Sequence, residues 1–144
     1  MSDLAEVQPG TRPWEPARGA SLAVVLHRYD RPLIGTFDQH GTHYLFRCLA
    51  GEVERANFWS YVRVDPDQEA KLADVSAELF DEAIDEASQG PGVLAIAVDD
   101  RIVASALIDD LDIDLSPVIS QLASRGLAIL REEEAALQEV AAAV

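Results

Sequence analysis

The groups that could carry chemistry in this chain are three histidines, one cysteine and twenty-six carboxylates. Their spacing builds no familiar site. His40 and His43 lie beside Asp38 and ahead of Cys48. Imidazole and thiolate are zinc ligands, but these four straddle one turn irregularly and no second ligand cluster follows. A turn histidine and a strand histidine is the simpler account, and His27 reads as a strand residue too. Cys48, between Arg47 and Leu49, has no separate His-plus-acid pair to activate it, and strand cysteines ordinarily pack.

Asp110-Leu111-Asp112-Ile113-Asp114 resembles the start of a calcium loop, where alternate acids converge on the ion. The sixth position is Leu115 rather than the turn-forming Gly, and the twelfth is Gln121 rather than Glu. An extended segment with its apolar residues inward and three Asp outward fits better. Gly90-Pro91-Gly92 lacks the Lys-Ser/Thr of a phosphate loop, and Ser60, Ser105 and Ser116 lack a nucleophile elbow. Carboxylate pairs are too abundant for any one to mark an acid–base site. No catalytic residue, cofactor or metal site is assigned, which points away from an enzyme.

The elements that would position a surface are easier to read. Residues 1–20, with Pro9, Gly10, Pro13, Pro16 and Gly19, read as a flexible arm in which Trp14 pins the chain to the core or anchors a partner. Residues 21–144 read as a single α+β domain. Leu22–Tyr29, Leu33–Phe37, His43–Leu49 and Ala56–Val64 carry β-branched and aromatic residues, broken at Asp30-Arg31-Pro32, at Asp38–Gly41 and near Gly51-Glu52. That spacing predicts an antiparallel meander. Asp65-Pro66, with Gln68 behind, is a helix start. Leu72, Val75, Leu79, Ala83, Ile84 and Ala87 form its apolar stripe, with a stop at Gly90 and a candidate break near Asp74, which could itself cap a second helix. Val93–Val98 and Ile102–Ile108 flank Asp99-Asp100-Arg101 as a hairpin whose nearly uncharged strands should be covered on both faces. A helix from Ser116-Pro117 should stop at Gly126, with a final helix over 127–144.

Phe58, Ser60, Val62 and Val64 fall on one face of the fourth strand, Trp59, Tyr61 and Arg63 on the other. Either the second set is an aromatic-plus-Arg surface of the kind enriched at binding hot spots, or helices cover it and both faces are buried.

Tyr29-Asp30-Arg31-Pro32-Leu33-Ile34, then Asp38-Gln39-His40-Gly41, then Tyr44-Leu45 resembles the opening of a group of uncharacterised bacterial domains, over about residues 22–75. This chain has Arg31 where that pattern prefers Gly, which matters if the position needs a positive φ. The resemblance implies a sheet-first α+β domain and no activity.

Charge is the strongest global signal. Net charge is −15; residues 1–71 hold ten acids and eight bases, residues 72–144 sixteen acids and three bases. Such a field repels phosphate backbones and attracts basic surfaces over roughly 8–10 Å. One cysteine excludes an internal disulfide. No run is long enough to span a bilayer, and the start lacks a secretory signal. Cytoplasmic placement is the expectation, and abundant Ala, Arg, Asp and Val with one Lys suggests a GC-rich bacterial genome.

These features converge on a non-enzymatic interaction subunit, of adaptor, immunity or antitoxin type. Its acidic half would meet a basic protein partner, with no direct nucleic-acid or membrane binding. The contact residues expected are Trp59, Tyr61 and Arg63 on the sheet, or Asp110, Asp112 and Asp114 behind it together with the acidic face of the helix after Asp65, where Asp74, Glu78, Asp81, Glu82, Asp85 and Glu86 surround the apolar stripe. Other readings are a small enzyme or ligand-binding domain using Tyr44, Trp59, Tyr61 and Arg63, and single-strand nucleic-acid binding on the same face. A fourth is a DNA mimic built on the three Asp and Glu132–Glu134.

Overall fold

A computed structural model describes residues 4–53, 56–111 and 115–142, with the backbone alone at 50–53, 127, 129, 130 and 133–142. One six-stranded antiparallel sheet dominates a mixed α/β fold. Its order is that of the sequence: β1 (Ala20–Tyr29), β2 (Arg31–Gln39), β3 (Thr42–Val53), β4 (Ala56–Val64), β5 (Gly92–Val98) and β6 (Arg101–Ile108). Helices α1 (Pro66–Asp74) and α2 (Phe80–Ala87) join β4 to β5, and α3 (Ser116–Ala142) follows β6. The expected hairpin is therefore no separate unit; it extends the meander.

The turns follow from residues that tolerate left-handed backbone. His40 and Gly41 have φ of 54° and 83°, and Asp99 and Asp100 have 50° and 60°, the pairs of positive φ that two-residue hairpins require. At the first turn Asp30 takes φ 62° and Arg31 already begins β2, so Arg31 needs no glycine-like backbone. Its guanidinium pairs with the Asp100 carboxylate, tying the first hairpin turn to the last.

Side chains alternate across the sheet, and both faces are covered. On the aromatic face Phe37, Tyr44, Phe46, Trp59 and Tyr61 form one buried cluster with Val93, Ala95 and Ala97. The segment ahead of β1 covers it. Ala5 and Trp14 are buried there, and the Trp14 ring lies 6.2 Å from that of Trp59. Of the two roles open to Trp14, the structure shows the pin. On the helix face Phe58, Leu94, Ile96 and Val98 pack with Leu122 of α3. Leu45 and Val64 pack there with Leu72 of α1 and Ile84 of α2.

Three local expectations are corrected. The helix after Asp65 breaks after Asp74, but α2 begins at Phe80 with no side-chain cap, so Asp74 caps nothing. Gly126 does not stop a helix: α3 runs through it as one 27-residue element. A Cβ there would lie 2.7 Å from Cδ1 of Ile96, so this glycine lets the helix approach the sheet. Finally, β5 is buried throughout but β6 is an edge strand, partly open along its length. Among the described residues, no helix is long and apolar enough to cross a membrane.

Candidate functional site

Two concave features lie on the helix side, both built by the segment that leaves β4. Asp65 accepts from the Gln68 amide at 2.8 Å, and the Gln68 side chain accepts from the Asp65 amide at 2.9 Å. This reciprocal cap satisfies two otherwise free amides and fixes α1 immediately after Val64. Val64 sits opposite His43 in β3, and His43 opposite Asp38 in β2. The first turn of α1 is thereby carried over the start of β3.

Glu69, on that turn, meets Nδ1 of His43. On the ring's far side Nε2 is 3.6 Å from Asp38. The cleft beside them has a volume of about 310 Å³ and is walled by Val24, Thr42, Arg63, Pro66 and Ala73. A carboxylate on Nδ1 is the arrangement that orients a histidine base, but here Nε2 faces a second carboxylate. The two acids approach opposite ring nitrogens and so cannot converge on one ion. Among the described residues, no group of three or more His, Cys, Asp or Glu is placed to hold a metal. The arrangement can attract a cation and can lock α1 to the sheet.

The second feature is a groove of about 360 Å³ between α1 and α2, floored by Leu72, Val75, Ala83 and Ala87 and edged by Lys71 and Glu86. Its surroundings are heavily anionic. Residues 65–90 contain nine acids and one base, and every one of those acids except the half-buried Glu69 is exposed. Asp85 pairs with Arg47 of β3 at 2.7 Å, which anchors α2. Leu79, in the turn between the helices, is 55 % exposed.

The sequence-derived contact residues are not brought together. Trp59 and Tyr61 are fully buried, because the arm, and not a helix, lies over them. Trp59 donates to Asn57 at 2.7 Å and Tyr61 to the Pro13 carbonyl at 2.7 Å. Burial, with Cys48 adding, holds the Tyr61 hydroxyl well above its ordinary range. These two residues form core, not a partner-facing surface, and the same cover removes the sheet face as a base-stacking platform or aromatic ligand site. Arg63 alone of the three is exposed, at the rim of the first cleft. Asp110 is exposed; Asp112 and Asp114 lie outside the described residues, as do the side chains of Glu133 and Glu134.

Sequence reasoning missed the His43–Glu69 contact. The two residues are 26 positions apart, and the one signal for their meeting was that a capped helix starts directly after a strand paired with His43. No family model matches this chain, and no curated protein or solved structure matches it. The likeness of residues 22–75 to the uncharacterised bacterial domains therefore assigns no family.

Proposed function

We propose that this chain is a non-enzymatic binding subunit whose α1–α2 layer docks a basic, amphipathic segment of a partner protein. One observation carries the reading: an apolar groove between two short helices, ringed by exposed carboxylates with a single lysine among them. A helix or strand with apolar residues on one side and Lys or Arg on the other matches that surface in shape and charge. The carboxylates speed encounter and reject anionic partners, while Leu72, Val75, Ala83 and Ala87 supply the contact that slows release. Of the surfaces the sequence offers, this reading keeps the acidic face of the helix layer.

The test is affinity capture from the native host at low and moderate salt, followed by kinetics against the captured partner. Replacing Asp81→Asn, Glu82→Gln and Glu86→Gln together keeps shape and removes three charges. Association should slow about tenfold at low salt and lose most of its salt dependence, with dissociation changing far less. Kinetics unchanged by the triple substitution would leave the acidic layer a solvated surface.

A further inference from the structure

The groove between α1 and α2 has two unlike walls. On the α1 side Lys71 stands over Leu72 and Val75; on the α2 side Glu86 stands over Ala83 and Ala87. Among the described residues, none of the acids of α1 lines the groove, and Glu69 turns instead to His43. On α2, Glu82 lies one turn before Glu86 on the same edge, and both are exposed. One wall therefore presents an ammonium and the other a pair of carboxylates. Lys71 and Glu86 border the same groove, yet among the described residues neither is in an ion pair. A lysine in the last turn of a helix complements the free carbonyls there, but Asp74 in the same turn of α1 works against it. The helix end alone gives no reason for the one base of residues 65–90 to stand on the groove side.

We infer that the groove takes an amphipathic helix with one carboxylate on the flank that faces α1 and basic residues on the flank that faces α2. This rests on the reading of the groove as a docking site and adds to it a rule of orientation. The floor favours a helix over a strand. Ala83 and Ala87, one turn apart, present only methyl groups, so a third helix can settle close against α2 while Leu72 and Val75 form a ridge beside it. With 8 residues in α2, about 12 Å at the helical rise, about two turns of the visiting helix are engaged. Laying that helix down in the reverse direction would exchange its flanks. Its acid would then meet Glu82 and Glu86, and its bases would meet Lys71. The charges that speed encounter with a basic segment thus also reject its wrong orientation.

The sign of the effect separates this arrangement from a uniformly acidic surface, to which any acid added to the partner is a loss. The probes are a capped helical peptide with a Leu/Ala stripe flanked by Lys on both sides, and a set in which a single Glu replaces each flanking Lys in turn. Each is titrated against the full chain by fluorescence anisotropy at low salt. The best Glu peptides, all on one flank, should bind about twofold or more tighter than the parent, the worth of an exposed ion pair. With Lys71→Gln the order should reverse, leaving the parent tightest, and Lys71→Glu should weaken the same Glu peptides further. Circular dichroism confirms that each variant is folded. If Lys71 served only the stability of α1, its loss would shift every peptide alike and keep their order. A parent that binds the native chain tightest, or a Glu preference that persists in Lys71→Gln, overturns the inference and leaves the docking site standing. Failure of every peptide to bind overturns the docking site and the inference with it.

Discussion

The two faces of the sheet are covered by different kinds of chain. Over the helix face lie regular elements whose inner stripe packs and whose outer surface is densely charged. Over the aromatic face lies an arm with almost no regular structure, held by Trp14, by the Tyr61–Pro13 hydrogen bond, and by Gln39, which accepts from the Glu6 amide at 2.8 Å and donates to its carbonyl at 3.2 Å. A helix brings its own backbone bonds and frees its outer face for other work. The arm closes a few bonds on itself, such as that from the Gln8 amide to the Pro16 carbonyl at 2.7 Å, but it is seated by its contacts with the sheet, and those are a matter of stability. Damage to the arm side should therefore be felt in folding, and changes to the helix side in binding.

The largest expected effect is Trp14→Ala, which opens a cavity over Trp59 and should cost about 3–5 kcal/mol in urea unfolding, a large part of the stability typical of one domain. Next is Gly35→Ala on the same face. A Cβ there would lie 2.3 Å from the Val24 carbonyl oxygen and 2.9 Å from the Phe46 ring, so a loss of ~1–3 kcal/mol is expected in thermal melts. Tyr61→Phe should cost ~1–2 kcal/mol, because the buried Pro13 carbonyl loses its donor.

The tyrosine also carries a pH signature. Its folded-state pKa is raised, chiefly by burial, so the folded chain keeps the proton that the unfolded chain releases. Stability is full below the unfolded value, about pH 10, and falls as pH rises past it. Tyr61→Phe should remove that alkaline loss. Smallest is the Asp81→Asn, Glu82→Gln, Glu86→Gln triple, which should move stability by no more than ~0.5 kcal/mol. If the triple unfolds the chain, or Trp14→Ala spares it, the division between the two covers fails.

Where local rules decide, the sequence was legible. Strands β1 to β4 follow β-branched and aromatic runs, the His40-Gly41 and Asp99-Asp100 turns follow positive-φ tolerance, and Asp65 with Gln68 spells out a reciprocal cap. The arm was not legible, because Pro-rich, aperiodic sequence has no local order of its own and Trp14 is ordered by Trp59, 45 positions further along. Gly126 misled for a related reason. Locally it is a helix breaker, and only the nearness of Ile96 gives its missing side chain a purpose. The site was half visible: the acidic stripe of α1 and α2 could be read directly, but the groove depends on the break after Asp74. Trp59 and Tyr61 read equally well as surface or core until the covering arm decided between them.

The arm also sets an order of events during synthesis. Each strand pairs with its neighbour in sequence, so the meander can assemble progressively as the chain emerges. The arm cannot finish docking on it until β6 is made. Its Gly10 docks against β6, and the contact between Arg101 and the Gly10 carbonyl spans 91 positions. At ~5–20 residues per second, the ribosome makes that partner on the order of 5–20 s after the arm itself. Residues made well before β6 are thus among the last to be fully seated. A nascent chain stalled before β6 would hold its arm through Gln39, Trp59 and Tyr61 but not through β6, and would be the species most in need of a chaperone.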